Sequence, residues 1–331
     1  MSPTVLVTGG AGYIGSHACK ALAACGLKPV CVDNLSRGHA WAVKWGPLEQ
    51  GDIRDGAFLA DVFRRHRPAA VLHFAAFAYV GESVEHPDLY HDNNVIGAKT
   101  LLAAVRDSDC RRFVFSSSCT VYGEPQAVPI DEDHPRKPVN PYGEGKAEIE
   151  DRLTEADGGW GLRSVALRYF NAAGADPDGE TGELHEPETH AVPLALMAAM
   201  ERHAFGINGT DYATPDGTCV RDYVHVSDLA DAHIKALDYL NGGGRSDAFN
   251  LGTGEGRSVR QVLETVERVT GRKIDAAENP RRPGDPPQLV AAADRAGQVL
   301  GWTPRYPDLE SQVRHAWDWQ CGLEDHRTAG V

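Results

Sequence analysis

The sequence predicts a doubly wound α/β fold, a parallel sheet with helices on both faces, carrying a smaller C-terminal α/β substrate domain. Three observations predict it. Short β-branched apolar runs alternate with longer helical patterns through the first half of the chain, the rhythm of a parallel sheet. A glycine-rich turn, Gly9-Gly10-Ala11-Gly12-Tyr13-Ile14-Gly15, joins the first apolar run to the first helical pattern. Beyond residue 170 the texture changes to a segment rich in Gly, Pro and acidic residues, Asn171 to His190.

In chain order, Val5-Leu6-Val7 is short, apolar and β-branched and predicts a strand; Ser16 to Cys25 predicts the helix after the turn. Pro29-Val30-Cys31-Val32-Asp33 predicts a second strand and Ala57 to Arg67 a second helix. Ala70-Val71-Leu72-His73-Phe74 and Arg112-Phe113-Val114-Phe115-Ser116 predict two more strands, with a helix from Asn94 to Asp107 between them. Ser164-Val165-Ala166-Leu167-Arg168 predicts another buried strand. Val192 to His203, Ser227 to Leu240 and Val259 to Val269 carry helical patterns, whereas the prolines of Asn279 to Pro287 exclude a helix interior. The expected division is a Rossmann-type cofactor domain over residues 1–170 and a substrate domain over 171–331, whose segments can interleave.

The 331 residues suffice for about two domains. A formal net charge of -14 argues against nucleic-acid or anionic-membrane partners, which need basic patches. It leaves room for a small anionic ligand, because a few placed arginines and a helix N-terminus can hold phosphates on an acidic protein. The seven cysteines (Cys19, Cys25, Cys31, Cys110, Cys119, Cys219 and Cys321) are odd in number and form no CxxC pair. They fit a reduced, cytoplasmic protein. Met1-Ser2-Pro3-Thr4 runs straight into the first strand, so neither a leader peptide nor a membrane segment is expected.

Gly9, Gly12 and Gly15 are spaced GxxGxxG between strand and helix. A dinucleotide needs glycine there for a tight turn, for close approach of backbone to a pyrophosphate, and for close packing of helix on strand. Asp33 ends the second strand, where a carboxylate can accept from both ribose hydroxyls and repel a 2′-phosphate. That favours NAD over NADP; a capping aspartate is the competing reading, and Arg37 nearby weakens the discrimination. Asp52-Ile53 is placed at the adenine edge, a surface turn being the alternative.

Tyr142 and Lys146 stand four apart after Asn140-Pro141, a helix start, and so share one helix face. A phenol is a poor base at neutral pH, and a nearby ammonium with a cationic nicotinamide would favour its phenolate. Ser116-Ser117-Ser118 follows a predicted strand, where ligand crevices form in doubly wound sheets. His185-Glu186-Pro187-Glu188-Thr189-His190 matches no common zinc spacing and is expected to line the substrate, with no metal.

The glycine turn, the serine run and Tyr142/Lys146 together resemble the extended short-chain dehydrogenase/reductases. Val80-Gly81-Glu82-Ser83, Leu167-Arg168-Tyr169-Phe170-Asn171, Gly217-Thr218-Cys219-Val220-Arg221-Asp222-Tyr223-Val224-His225-Val226 and Arg281-Arg282-Pro283-Gly284-Asp285 narrow the resemblance to the UDP-glucose 4-epimerases over nearly the whole chain. That resemblance implies Ser118, Tyr142 and Lys146 as the catalytic group. It implies NAD on Gly9, Gly12, Tyr13, Ile14, Gly15, Asp33, Asn34, Asp52, Ile53, Phe74, Ala75, Ala76, Asn94, Tyr142, Lys146 and Phe170. It places the UDP-sugar on Ser118, Tyr142, Asn171, His190, Ala191, Asn208, Arg221, Arg282, Asp285 and Leu289. The implied reaction removes the 4′-hydroxyl proton to Tyr142, passes through a transient 4-keto sugar that presents its other face, and returns hydride. Homodimers are common among such proteins, and one is expected through helices of the cofactor domain.

Three positions depart from the commonest pattern. Ala78-Tyr79 replaces a segment that usually supplies a lysine, Asn208 an aromatic residue on the uracil, and Leu289 a tyrosine that closes the sugar pocket. Phe74 to Ser83 and Ser117-Ser118-Cys119 are more similar to UDP-arabinose (UDP-xylose) 4-epimerases, which makes UDP-pentose turnover the alternative reading. Leu289 also leaves UDP-N-acetylhexosamines open. A 4,6-dehydratase would need an Asp-Glu pair where Cys119-Thr120 stand before Val121-Tyr122-Gly123. A non-catalytic NAD-binding scaffold would not need Ser118, Tyr142 and Lys146.

Overall fold

Strands that are apolar on both faces are stable only when helices cover both. A computed structural model describes residues 2–200, 203–282 and 284–328 and has this arrangement. β1 (Thr4–Thr8) leads through the glycine turn into α1 (Tyr13–Ala24), followed by β2 (Lys28–Asp33), β3 (Leu48–Gln50), α2 (Gly56–His66) and β4 (Ala70–His73). Two short helices, α3 (Val80–Glu85) and α4 (Pro87–Tyr90), run through a π-helical turn at His91–Ile96 into α5 (Gly97–Arg106). β5 (Arg112–Ser118), α6 (Pro141–Trp160) and β6 (Arg163–Tyr169) come next. The chain then forms β7 (Asn171–Ala173), α7 (Ala191–Ala199), β8 (Phe205–Asn208), β9 (Val220–His225), α8 (Val226–Asn241) and β10 (Asp247–Leu251). β11 (Gly256–Ser258), α9 (Val259–Thr270), β12 (Ala276–Asn279), β13 (Gln288–Leu289) and α10 (Leu309–Thr328) complete it.

Local chemistry sets the helix starts. Asp55 caps α2 by accepting from the N–H groups of Ala57 and Phe58. Asn140 caps α6 by accepting from Gly143 N at 2.9 Å, with Pro141 in the first turn. Ser258 and Gln261 form a capping box on α9.

The large sheet has seven strands in the order β10-β6-β5-β4-β1-β2-β3, every neighbouring pair parallel. Its order reverses between β1 and β4, the switch point where such sheets bind ligands. Strand alternation divides the core into two layers. Val5 and Val7 pack with Leu22, Leu167, Leu237 and Phe249 on one face, while Leu6 packs with Val30, Leu59, Leu101 and Phe113 on the other. In the smaller unit β9 is the hub: β7 and β13 pair with it in parallel and β11 antiparallel, while β8 pairs with β12. Val192, Leu196, Ile207, Val262, Val266 and Val313 are buried together there.

Several expectations are adjusted. Ser116, Ser117 and Ser118 lie inside β5, not after it, because the ladder with β6 continues to Tyr169 and each hydroxyl finds a polar partner. Asn171 begins a short strand rather than a loop, since β9 offers it a free edge. The chain re-enters the large sheet after residue 171, as β10 pairs with β6 and α8 packs in the same layer as α1. The helix expected over Val192 to His203 is α7, which ends at Ala199, and residues 201 and 202 lie outside the described residues.

Asp222 of β9 ties this unit together. Its carboxylate accepts from Thr253 N at 2.8 Å, Thr253 Oγ1 at 2.7 Å, Gly254 N at 3.0 Å and Ala291 N at 3.2 Å. Asp222→Ala strands these donors in a buried position and is expected to cost about 3 kcal/mol, read as a lower denaturant midpoint with unchanged helix content. An unchanged midpoint would count against this account of β9.

Candidate active site

The glycine turn sits at the carboxyl end of β1. Gly9 has φ +74°, a conformation that side chains resist, and a Cβ there would stand 2.6 Å from Ala75 N. A Cβ on Gly15 would stand 2.1 Å from the Gly9 carbonyl oxygen. The N-terminus of α1 has no side-chain cap and no acidic residue in its first turn, so its N–H groups remain available to an anion. This bare, tightly approached turn fits a dinucleotide pyrophosphate. Tyr13 lies over it with its hydroxyl donating to Gly174 O at 2.6 Å, and Ile14 packs into the core.

Asp33 is buried at the end of β2, where Oδ2 accepts from Ala11 N at 3.1 Å and Oδ1 from Leu35 N at 2.8 Å. Burial raises its carboxyl, and these two N–H groups work against that rise. The carboxylate is therefore fixed beside the turn. Arg37 is diverted: it pairs with Glu82 at 2.7 Å and lies 5.2 Å and 5.0 Å from the rings of Phe77 and Tyr79. Its interference with NAD selection is thereby reduced.

Asp52 is more committed than expected. Arg54 holds its carboxyl well below the usual range, and Asn34 Nδ2 donates to it at 3.0 Å. An adenine amine would have to share these oxygens. Ile53 is buried against Gly97. Phe74 donates its N–H to Thr8 O at 2.9 Å, and Ala75 and Ala76 continue past β4 beside Gly9. Asn94 does not project a free amide; both of its ends bind the backbone of Phe77, at 2.8 and 2.9 Å. It shapes the segment after β4.

Ser118, Tyr142 and Lys146 come together at the carboxyl edge of β5. Ser118 Oγ accepts from Thr120 N at 3.2 Å and from Thr120 Oγ1 at 3.0 Å. Tyr142 is 8% exposed and Lys146 4% exposed, so both titrate essentially without water. Lys146 Nζ donates to Ser116 O at 2.6 Å and lies 5.6 Å from the Tyr142 ring centre. Burial, then Tyr169, pushes the Tyr142 phenol up, and Ser118 opposes that rise. Burial lowers Lys146 to about 7, while Glu150 pulls it back up. The expected preference for phenolate, from a nearby ammonium together with a cationic nicotinamide, therefore has to overcome this burial.

The partner missing from the sequence reading is Glu150. Its carboxylate, one turn after Lys146 on α6, accepts from Ser117 Oγ at 2.6 Å, Arg168 Nη2 at 2.6 Å and Arg168 Nε at 3.0 Å. The i, i+4 spacing from Lys146 was visible, but the Arg168 and Ser117 contacts join three separate elements.

On the substrate side, Arg221 on β9 is buried and pairs with Asp285. The Asn208 carbonyl, turned toward Arg282, accepts from its Nη2 and Nε at 3.1 Å each. Asn171 Nδ2 donates to Asp222 O at 3.2 Å. Leu289 is buried with Phe170 and Cys119 in one small apolar cluster, a floor shared by both units. Arg221 and Asp285 thus satisfy each other here, and a nucleotide must compete for or share that pair.

His190 precedes α7, and Ala191 opens it. Folding draws His190 to Glu183 at 2.8 Å and Glu188 at 3.1 Å, with His185 3.1 Å from Glu183. Burial disfavours charge on His190, but the two carboxylates prevail and raise it. This cluster adds Glu183 and Glu188 to the residues that were legible from sequence.

A family model described as the NAD dependent epimerase/dehydratase family matches residues 5–252. The chain is 54% identical to a UDP-glucose 4-epimerase of Rhizobium leguminosarum bv. trifolii over 324 residues, which is 98% of this chain and 99% of that one. It is 56% identical to a UDP-glucose 4-epimerase of Rhizobium meliloti (strain 1021) over 316 residues, covering 95% and 96% of the two chains. The crystal structure of UDP-glucose 4-epimerase from Brucella ovis in complex with NAD superposes with a TM-score of 0.94 at 50% identity, covering 96% of this chain and 98% of that one.

The lowered value of Lys146 carries a signed consequence. Between about 7 and the ordinary lysine range the unfolded chain holds a proton that the folded chain has released, so this group makes stability rise with pH across that window. Denaturant melts of the unliganded protein and of Lys146→Met, at pH 7 and pH 10 (about the reference lysine value), should show the wild type gaining relative to the variant. Parallel pH dependences would refute the assignment.

Proposed function

The chain belongs to the NAD-dependent epimerase/dehydratase family, and on that premise we propose that it interconverts UDP-glucose and UDP-galactose by inverting C4′ of the sugar, with NAD as its resident cofactor. The observation that carries this reading is the dry grouping of Ser118, Tyr142 and Lys146 at the end of β5, two strands from the bare glycine turn on the same edge of one parallel sheet. Relatives similar over nearly the whole chain favour the hexose pair over the UDP-pentose alternative.

The glycine turn and the N-terminus of α1 would hold the pyrophosphate, and Asp33 the adenosine ribose. When bound, NAD supplies a positively charged ring that accepts hydride from C4′ and gives it back, so a full cycle leaves it unchanged. The chain's own work is proton handling and positioning. Tyr142 Oη, as phenolate, would take the proton of the 4′-hydroxyl and later return it; the phenol's own proton would leave once to solvent before the cycle starts, when the cationic ring of bound NAD favours the anion. Lys146, in its protonated form, would support that loss by placing an ammonium against the same pocket wall, with Glu150 helping to keep the proton on it. Ser118 orients the sugar hydroxyl toward Tyr142. Because both faces of C4′ must meet the same groups, the sugar has to turn while its tether stays put. Arg221 and Arg282 supply two positive charges for the diphosphate, with Asp285 and Asn208 holding the guanidinium groups. Leu289, an apolar residue on the shared floor, offers the turning sugar no hydrogen bond that would hold one face.

In this reading residues 1–170 serve the cofactor and 171–331 the UDP-sugar, with α8 and β10 lent back to the large sheet. The protein works in the cytoplasm as a homodimer. Val80, Val84, Leu89 and Ile96 expose apolar side chains along α3, α4 and the following turn, a surface suited to burial between two copies.

Tyr142→Phe should lower kcat on UDP-galactose by about 1,000-fold while NAD stays bound, measured by coupled assay and by cofactor content. Near-normal turnover would overturn the proton-transfer role. UDP-galactose and UDP-arabinose assayed side by side should show preference for the hexose. Light scattering should give twice the chain mass; a clean monomer would exclude the dimer.

A further inference from the structure

We propose that Glu183, His185, Glu188 and His190 form a binding site for a divalent transition-metal ion of the zinc class. The ion would tie the loop before α7 to the surroundings of the glycine turn. The inference does not depend on which sugar the protein turns over.

One potential ligand atom from each of the four side chains lies within 4.8 Å of all the others. The His185 Nδ1 to Glu183 and His190 Nδ1 to Glu183 separations are 3.1 and 2.8 Å, and those to Glu188 are 3.8 and 3.1 Å. A tetrahedral zinc ion with bonds of about 2.0–2.1 Å holds its ligand atoms about 3.3 Å apart. The observed spread brackets that value, so small side-chain rotations would complete the shell. Two imidazoles with two carboxylates also make the borderline donor set that zinc prefers over calcium or magnesium.

A second observation points the same way. His185 Nδ1 is buried and lacks a well-formed hydrogen bond, although Glu183 Oε1 is only 3.1 Å away. A buried polar atom aimed into a cluster without a bonding partner is costly unless something else binds it. The acidic triad earlier in the loop provides the contrast. Asp176, Asp178 and Glu180 all lie 2.7 Å from the Lys20 ammonium, so their charge is already answered. Among the described residues, Glu183 and Glu188 have no lysine or arginine in such a role; His190 and, for Glu188, the N–H groups of Thr189 and His190 answer them instead, and a metal would take over from the His190 proton.

The position gives the ion a structural task. Tyr13 of the glycine turn and Tyr79 before α3 set their rings edge-on to His185, with centroids 6.3 and 5.8 Å away. His39 Nε2 lies 2.9 Å from Leu184 O, within the same stretch of loop. A metal in the cluster would lock these contacts without touching Ser118 or Tyr142.

The test uses full-length protein with NAD bound, stripped with EDTA and titrated with zinc sulfate against a chromophoric chelator. The expected result is one zinc per chain, a raised thermal midpoint, and four-coordinate visible bands when Co²⁺ replaces zinc. His185→Gln and Glu188→Gln should each weaken zinc binding by at least about tenfold, and together abolish the Co²⁺ bands. Unchanged affinity in the double variant would overturn the site. If the variants fail to fold, the wild type decides alone: no stoichiometric zinc and no Co²⁺ bands would leave only a histidine–carboxylate network and refute the proposal.

Discussion

The carboxylate of Glu150 is the interaction on which the placement of Ser118, Tyr142 and Lys146 depends. It is buried, and a buried charge survives only when it is paired and hydrogen-bonded. Arg168 reaches it from β6 and Ser117 from β5, while Glu150 itself stands on α6. One carboxylate thus sets the relative positions of the strand that carries Ser118 and the helix that carries Tyr142 and Lys146. Arg168 also donates to the Tyr122 hydroxyl at 3.0 Å, which in turn donates to Asn250 of β10. The network therefore extends across to the strand that returns from the second half of the chain.

The same dryness that makes the network necessary governs the chemistry. Tyr142 and Lys146 both sit where water cannot stabilise charge, and each is pushed toward its neutral form. In the function proposed above, a proton would then move between a sugar hydroxyl and the phenol without competition from solvent. The substrate side is built on the opposite principle. Arg282 is exposed and Arg221 is buried beside Asp285, so one guanidinium is open to an anion and the other is already balanced. In the function proposed above, a firm hold on the nucleotide and an apolar floor at Leu289 would divide the substrate into a tethered part and a turning part.

The loop between β7 and α7 joins these regions. Lys20 of α1 gathers its first acidic residues, Tyr13 donates to Gly174 O, and Lys44 donates to Glu180 O at 2.5 Å. A segment with no regular periodicity is nonetheless held at several points against the cofactor unit. Its side chains, not its backbone pattern, give it a defined course.

Five of the seven strands of the large sheet, β1, β2, β4, β5 and β6, were legible in the sequence because a short continuous run of β-branched apolar residues records burial on both faces, whereas the edge strands β3 and β10 carry charged residues that hide them. The glycine turn was legible because Gly9 and Gly15 answer to backbone geometry that no other residue meets, and Tyr142 with Lys146 because helical spacing puts both on one face. Asp33 fell where a strand end places it. What the sequence did not disclose was pairing at a distance. Glu150 with Arg168 and Ser117, Arg37 with Glu82, Asn94 with the Phe77 backbone, and Glu183 with His185 and His190 carry no periodic signal. The role of β9 as a hub was hidden for the same reason, since its charged residues look like surface until Asp222 and Arg221 find partners. Local pattern reports which way a side chain faces; only packing of remote segments decides what it meets there, and in a dry site that meeting sets its charge.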